Sequence, residues 1–317
     1  MARKQPDERS RYVDMWALPG IHPSNIELLQ KLKTADTNHF TKNMDVIGTV
    51  SEKDAASGKW ETTHMIGVRN DIWKFNRREM ESSVKVLQAK RKAELKREIK
   101  SSGRLNEKQS QLLEQRLADD ALMQMDGNEM EKRRLVLKLF KTTSQRARWC
   151  GTIEEVTITE IHNSIGSQKP LVTLAVMLPQ SKLVTDIQQN HKTFRIPATF
   201  TFGYYSAGRL WNLRLTRHWF SLGIDYSIEA DGKNIGEVDG KLISLGTDSY
   251  LRLQAHELAA DTPFCDLLTL FTASVGYHRA IRRSIARRVQ AILAGESHRL
   301  VFDDDELRLR DNGRSAA

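Results

Sequence analysis

Hydrophobic and polar positions change rhythm several times along this chain, and each change predicts a different kind of element. Residues 1–40 are polar and interrupted by Pro6, Pro19, Gly20 and Pro23, which reads as a loose arm. One short helix fits near Ser24–Lys33, because Ser24 can cap it and Glu27 sits three residues on. Two runs with strand character follow, Asp45–Ser51 and Lys59–Val68, joined by the turn-forming stretch EKDAASGK. From about Asn76 the period lengthens. The segment ESSVKVLQAKRKAELKREIK is built from strong helix formers without Gly or Pro, and Gly103 stands where a helix end wants it. Asn106 with Gln109 then starts a second helix that runs to about Met125 and breaks at Asp126-Gly127-Asn128. Two helices with a short link predict an antiparallel hairpin. Its apolar stripe is thin, with Val84, Leu87, Leu95 and Ile99 facing Leu105, Leu112, Leu113 and Leu117, so it reads as an arm projecting into solvent or onto a partner. The next segment, EKRRLVLKLFKTT, fits helix and strand equally by periodicity.

From Gly151 the chain is strand-rich. TIEEVTITEIH alternates and KPLVTLAVML is continuously apolar. HKTFRIPATFTFGYY, GRLWNLRLTR, HWFSLGIDYSIEA, NIGEVDGKLISL and DSYLRLQAHEL follow, with Gly, Asp or Asn between them. That spacing predicts antiparallel β structure, with Asp231-Gly232 and Asp239-Gly240 as tight turns. A helix begins after Asp261, with Thr262 as cap and Pro263 in the first turn. Its first half, FCDLLTLFTASVGY, is apolar on most faces and should be buried all round. Its second half carries one stripe of Ile281, Ile285, Val289 and Ile292, surrounded by Arg279, Arg282, Arg283, Arg287 and Arg288. The fold class expected is α+β: an antiparallel β-barrel closed around a C-terminal apolar helix, with an N-terminal helical-hairpin extension.

Ser-Leu-Gly occurs twice, at Ser221-Leu222-Gly223 and Ser244-Leu245-Gly246, each after a bulky apolar residue and before an alternating run. Two barrel corners built alike would explain it, with Leu222 and Leu245 pointing inward and each glycine letting its strand bend. The stretches Phe220 to Tyr226, Asp231-Gly232-Lys233-Asn234-Ile235-Gly236-Glu237-Val238 and Lys241 to Tyr250 resemble the tubby C-terminal-like superfamily. More narrowly they resemble the LURP-one-related proteins, which share a fold with phospholipid scramblases. The resemblance covers about residues 151–292 and implies a β-barrel with the apolar helix at its centre. It also implies a binding role, since some tubby-like members hold phosphoinositide headgroups with surface Lys and Arg. Residues 1–150 match nothing in that pattern. The implied organisation is an N-terminal arm over 1–68, a basic helical hairpin over 69–150, the barrel with its core helix over 151–293 and an acidic, polar tail over 294–317.

Charge changes the picture most. The formal net charge is +9, and residues 69–150 hold 21 Lys/Arg against 12 Asp/Glu, so that segment carries the excess. An anionic partner follows as an expectation. The Arg-flanked stripe of the last helix reads as an interfacial helix for an anionic membrane surface or phospholipid headgroups, with Arg279, Arg282, Arg283, Arg287 and Arg288 as the contacting residues. The hairpin offers Arg77, Arg78, Lys90, Arg91, Lys92, Lys96 and Arg97 to a protein partner, or to nucleic-acid phosphates. No nucleic-acid-binding signature accompanies them. Nor is there a nucleophile elbow, a phosphate-cradling glycine loop or a His-Glu-x-x-His. His256-Glu257 reads as a local polar contact, and Asp303-Asp304-Asp305-Glu306 as a solvated acidic tail or a partner for nearby arginines rather than a metal site. The expectation is a non-enzymatic binding or scaffold protein with no cofactor and no metal. Two distant cysteines, Cys150 and Cys265, an N-terminus without an apolar segment and no apolar run of membrane-spanning length suggest a cytoplasmic setting, peripheral to a membrane at most.

Overall fold

The computed structural model describes residues 8–16, 44–53, 58–69, 72–73, 107–119, 134–143, 146–167, 169–179, 181, 183–190, 197–219, 224–240, 246–296, 300 and 306–307, together with helical positions 85, 88–89, 92–93, 95–97 and 99. Among the described residues, twelve antiparallel strands close into one barrel. They are β1 (Arg9–Trp16), β2 (Met44–Lys53), β3 (Trp60–Arg69), β4 (Val136–Thr142), β5 (Ala147–Glu155), β6 (Thr173–Met177), β7 (Thr185–Asn190), β8 (Thr199–Ser206), β9 (Arg209–Arg217), β10 (Tyr226–Ala230), β11 (Lys233–Gly240) and β12 (Gly246–Leu253). Sequence neighbours pair all the way round, and β1 closes the ring on β12, with Arg9 opposite Leu253 and Trp16 opposite Gly246. The helices are α1 (Glu107–Asp119), α2 (Thr157–Ser167), α3 (Thr262–Val275) and α4 (His278–Leu293).

The barrel begins at Arg9, not at Gly151. The stretch read as a loose arm contains β1, whose inward positions are Arg11, Val13 and Met15. An arginine at a core-facing position breaks the apolar alternation by which such a strand is recognised. The ambiguous segment after residue 131 is β4. It lacks clean alternation because both its faces are buried. Leu137 and Leu139 join the main core, while Phe140 packs with Met44, Val46, Met65 and Ala147 in a second cluster. The alternating run VTITEIH is not strand but the start of α2, whose Thr157, Glu160, Ile161 and Ser164 are buried at helical spacing. Asp231-Gly232 does form a tight turn, with both residues at positive φ. Ala207-Gly208 forms another between β8 and β9. Asp239 and Gly240 instead lie inside β11, paired with Tyr250 and Ser249. A Cβ on Gly240 would stand 2.7 Å from the Ile224 nitrogen, so close strand contact accounts for that glycine. Both Ser-Leu-Gly copies lie outside the described residues except Gly246, which opens β12. The helix expected near Ser24–Lys33 lies outside them too.

The core is the lumen of the barrel, and α3 fills it. Every residue from Phe264 to Val275 is buried. Asp261, rather than Thr262, caps the helix by accepting a hydrogen bond from the Phe264 N–H at 3.1 Å. Aromatic contacts trace its path. Phe264 meets Tyr204 late in β8 (5.1 Å between ring centroids), and Phe271 meets Phe200 early in β8 (5.2 Å) and Tyr226 (5.7 Å). The helix therefore runs antiparallel to β8, entering where β8 ends and leaving where it begins. Polar side chains on this all-buried helix satisfy themselves locally. The Thr269, Thr272 and Ser274 hydroxyls donate to the carbonyls of Cys265, Leu268 and Phe271. The helix stops at Gly276 and Tyr277, and α4 starts at His278. One long helix was expected over both halves. The break falls where the all-round apolar pattern gives way to a one-sided one.

Candidate functional site

Helix α4 follows α3 at the exit end of the barrel and is strongly basic. Among its sixteen residues α4 has five arginines and no acidic residue. Arg279, Arg282, Arg283 and Arg287 are exposed and, at 3.6 residues per turn, span about 140° of the helix surface. The opposite face is spent on the fold. Ile281 and Ile285 are fully buried in the main core, with Ala280 and Val289 packed against it. Ile281, Ile285 and Val289 of the stripe read as membrane-inserting are thus covered by the protein, while Ile292 is half-buried. An interfacial helix and a helix lying on a barrel share one pattern, and the packing selects the second.

Arg288 also departs from the expected set, because it is buried. Its Nη1 lies 3.2 Å from Glu155 Oε1 and 3.9 Å from Glu160 Oε2. The Glu155 carboxylate accepts the Leu135 N–H at 2.8 Å, and Glu160 accepts the Thr173 N–H at 3.1 Å. Burial, with Glu155 close by, holds the Glu160 carboxyl well above the usual range. Beside this group Arg134 pairs with Glu154 and lies 3.8 Å from Glu306. Glu306 accepts from the Thr157 hydroxyl and from the Ile158 N–H, at the N-terminus of α2. The last member of the acidic run is therefore a buried anchor rather than solvated tail, while Asp303, Asp304 and Asp305 lie outside the described residues. Together these groups clamp α4, α2 and the tail to the barrel end. With Arg288 so engaged, Arg279, Arg282 and Arg283 remain as outward cations without a carboxylate partner among the described residues.

The helical arm is rooted at the same end, since β3 finishes at Arg69 and β4 starts at Val136 there. Leu95 and Ile99 are buried against Leu113, with Leu117 packed on them, so the two helices close their thin seam on each other. Lys92, Lys96 and Arg97 are helical and exposed. Arg77, Arg78, Lys90 and Arg91 lie outside the described residues.

A second polar cluster inside the lumen had no signal in the sequence. Arg11, 1% exposed, donates to Glu52 at 2.6 Å, and to Asp266 and Thr269 at 2.8 Å each. His64 lies 3.9 Å from Asp266, and burial together with the Arg11 charge pushes its imidazole down to about 3, so it is neutral. His256 caps the turn before α3 by accepting the Leu258 N–H at 3.2 Å, and its ring meets Trp211 edge-on. That is the local contact expected of it.

No family model matches this chain, and neither a curated protein nor a solved structure matches it. Among the described residues no helix is long and apolar enough to cross a membrane.

Proposed function

We propose that the protein is a non-enzymatic binding module of the tubby-like type that docks on anionic membrane surfaces through the exposed arginine face of α4. The carrying observation is that α4 turns Arg279, Arg282 and Arg283 outward, unpaired among the described residues, while its apolar side is consumed by the barrel. The contact is therefore electrostatic adsorption without insertion. Each surface arginine contributes about 1 kcal/mol near an anionic leaflet, and the attraction fades beyond a Debye length of roughly 8 Å in physiological salt. The tubby-like assignment is supported by the closed antiparallel barrel around a C-terminal apolar helix. Flotation with phosphatidylserine-containing vesicles tests the reading. The native chain is expected to float at low salt, and to stay down with neutral vesicles, at high salt, or as the Arg279→Glu/Arg282→Glu/Arg283→Glu variant. Flotation that ignores both salt and the triple reversal refutes it, as does no flotation at all.

The exposed Lys92, Lys96 and Arg97 on an arm with a closed apolar seam favour a second reading, a contact for a protein or nucleic-acid partner. Reversing those three charges would then abolish retention on a polyanion column while leaving flotation intact.

A further inference from the structure

The two most exposed large apolar side chains among the described residues are Leu293, at 71%, and Trp219, at 65%. Both stand beside the cations of the exit end. Leu293 is the last residue of α4 and belongs to its arginine face. At about 100° per residue it lies roughly 20° from Arg282 and 40° from Arg279, inside the arc that the exposed arginines define. Ile281 and Ile285 of the same helix are turned into the core, whereas Leu293 is turned out.

Trp219 is placed by the strand before it. Thr216, near the end of β9, pairs with Thr199 at the start of β8, and the Arg217 N–H donates to the Ala198 carbonyl at 2.9 Å. Phe200, the next residue of β8, meets the ring of His278, the first residue of α4, at 5.7 Å between centroids. Burial pushes that imidazole down to about 4, and the charges of Arg282 and Arg217 add to the effect. A cation from β9 and a cation from the α4 face therefore flank one ring. His218 and Trp219 continue from Arg217, and both are exposed. The indole stands at the foot of α4.

A polyanion such as nucleic acid offers phosphates to these arginines but nothing to a leucine set among them. An anionic bilayer offers both, because its phosphates lie directly above hydrocarbon and interfacial groups settle within about 5–10 Å of that boundary. Tryptophan is the side chain most at home at that level, with an apolar body and one N–H donor.

We infer that Trp219 and Leu293 seat the arginine face in the headgroup layer of an anionic bilayer. The inference rests on the membrane reading above and adds to it. The arginines draw the chain to the surface, the buried stripe of α4 stays in the protein, and these two outward side chains enter the headgroup layer without reaching the hydrocarbon core.

Titration of the full chain with phosphatidylserine-containing vesicles at low salt, followed by tryptophan emission and by flotation, tests this. Native emission is expected to shift to the blue on binding and to lose its quenching by acrylamide. Trp219→Phe should abolish that change. Trp60→Phe should preserve it, because Trp60, the other tryptophan exposed among the described residues, opens β3 at the opposite end of the barrel. Trp219→Ala/Leu293→Ser, at exposed positions, is expected to raise the lipid concentration for half-binding about tenfold. Should that double variant fail to fold, the native and Trp219→Phe spectra still decide. Arginine-dependent flotation without a Trp219-dependent spectral change overturns the inference and leaves the electrostatic reading standing, as does a folded double variant that binds as tightly as the native chain. A native chain that does not float overturns both.

Discussion

Replacing Asp266 by Leu should show how the barrel lumen tolerates charge. Arg11 cannot lose its proton, and its guanidinium is held by Glu52, Asp266 and Thr269. Burial raises the Asp266 carboxyl while Arg11 pulls it down, so the pair stays ionised only because the two face each other at 2.8 Å. Removing one member of a buried pair costs about 3–5 kcal/mol, since the other charge is stranded. The low end applies here because Glu52 still neutralises Arg11, and Asp266→Leu is expected to cost about 3 kcal/mol. Arg11→Met strands a carboxylate that can take up a proton instead, so it should cost about 2 kcal/mol. The double variant strands nothing and fills the space with hydrocarbon. It should cost no more than about 2 kcal/mol, which gives a coupling of about 3 kcal/mol. Urea unfolding of the four proteins, followed by tryptophan fluorescence, measures this cycle. Additive costs, with coupling below about 0.5 kcal/mol, would refute the claim that Arg11 and Asp266 act as one buried unit.

Three further outcomes follow from other sites. Burial and the neighbouring Glu155 raise the Glu160 carboxyl in the folded chain above its unfolded value. Its contribution is full at acid pH and falls by about 1.4 kcal/mol per pH unit as pH rises toward its raised folded value. Glu160→Gln should remove that slope in chemical-denaturation curves taken from pH 5 upward, and a parallel pair of curves would contradict it. His64 and His278 are depressed to about 3 and about 4, mainly by burial, so both stay neutral in the fold well below pH 6.5. The stability they contribute is present above pH 6.5 and is lost as pH falls toward those values, and NMR titration of their ring protons should show no protonation at pH 5. Gly236→Ala would push a Cβ into the Arg252 carbonyl oxygen and to 3.2 Å from the Leu253 Cα, both of them backbone. It should lower the thermal midpoint by several degrees, whereas Gly166→Ala, with open space around it, should leave the midpoint within a degree or two.

What could be read from the sequence was whatever depended on one face of one element. The apolar circumference of Phe264–Val275 announces a helix surrounded by strands, and Asp231-Gly232 announces a turn at positive φ. The strands of the N-terminal half were harder. Arg11 faces inward, and β4 is apolar on both sides, so neither shows the period of two. The arginine stripe is visible in the sequence, yet Arg288 and Arg282 are indistinguishable as letters. Only the approach of Glu155 makes one a clamp and leaves the other in water.

That closure has a consequence for biosynthesis. The seam between β1 and β12 joins residues more than two hundred positions apart, and α3 is translated after every stave around it. While the ribosome is still making β11, the emerged strands form at best an open sheet with two raw edges and an unfilled apolar concavity. Seam and plug arrive within the same short stretch of synthesis, so protection of the interior comes late and all at once. Such non-local closure is slow, and the open edges stay exposed to wrong pairing until β12 and α3 are out.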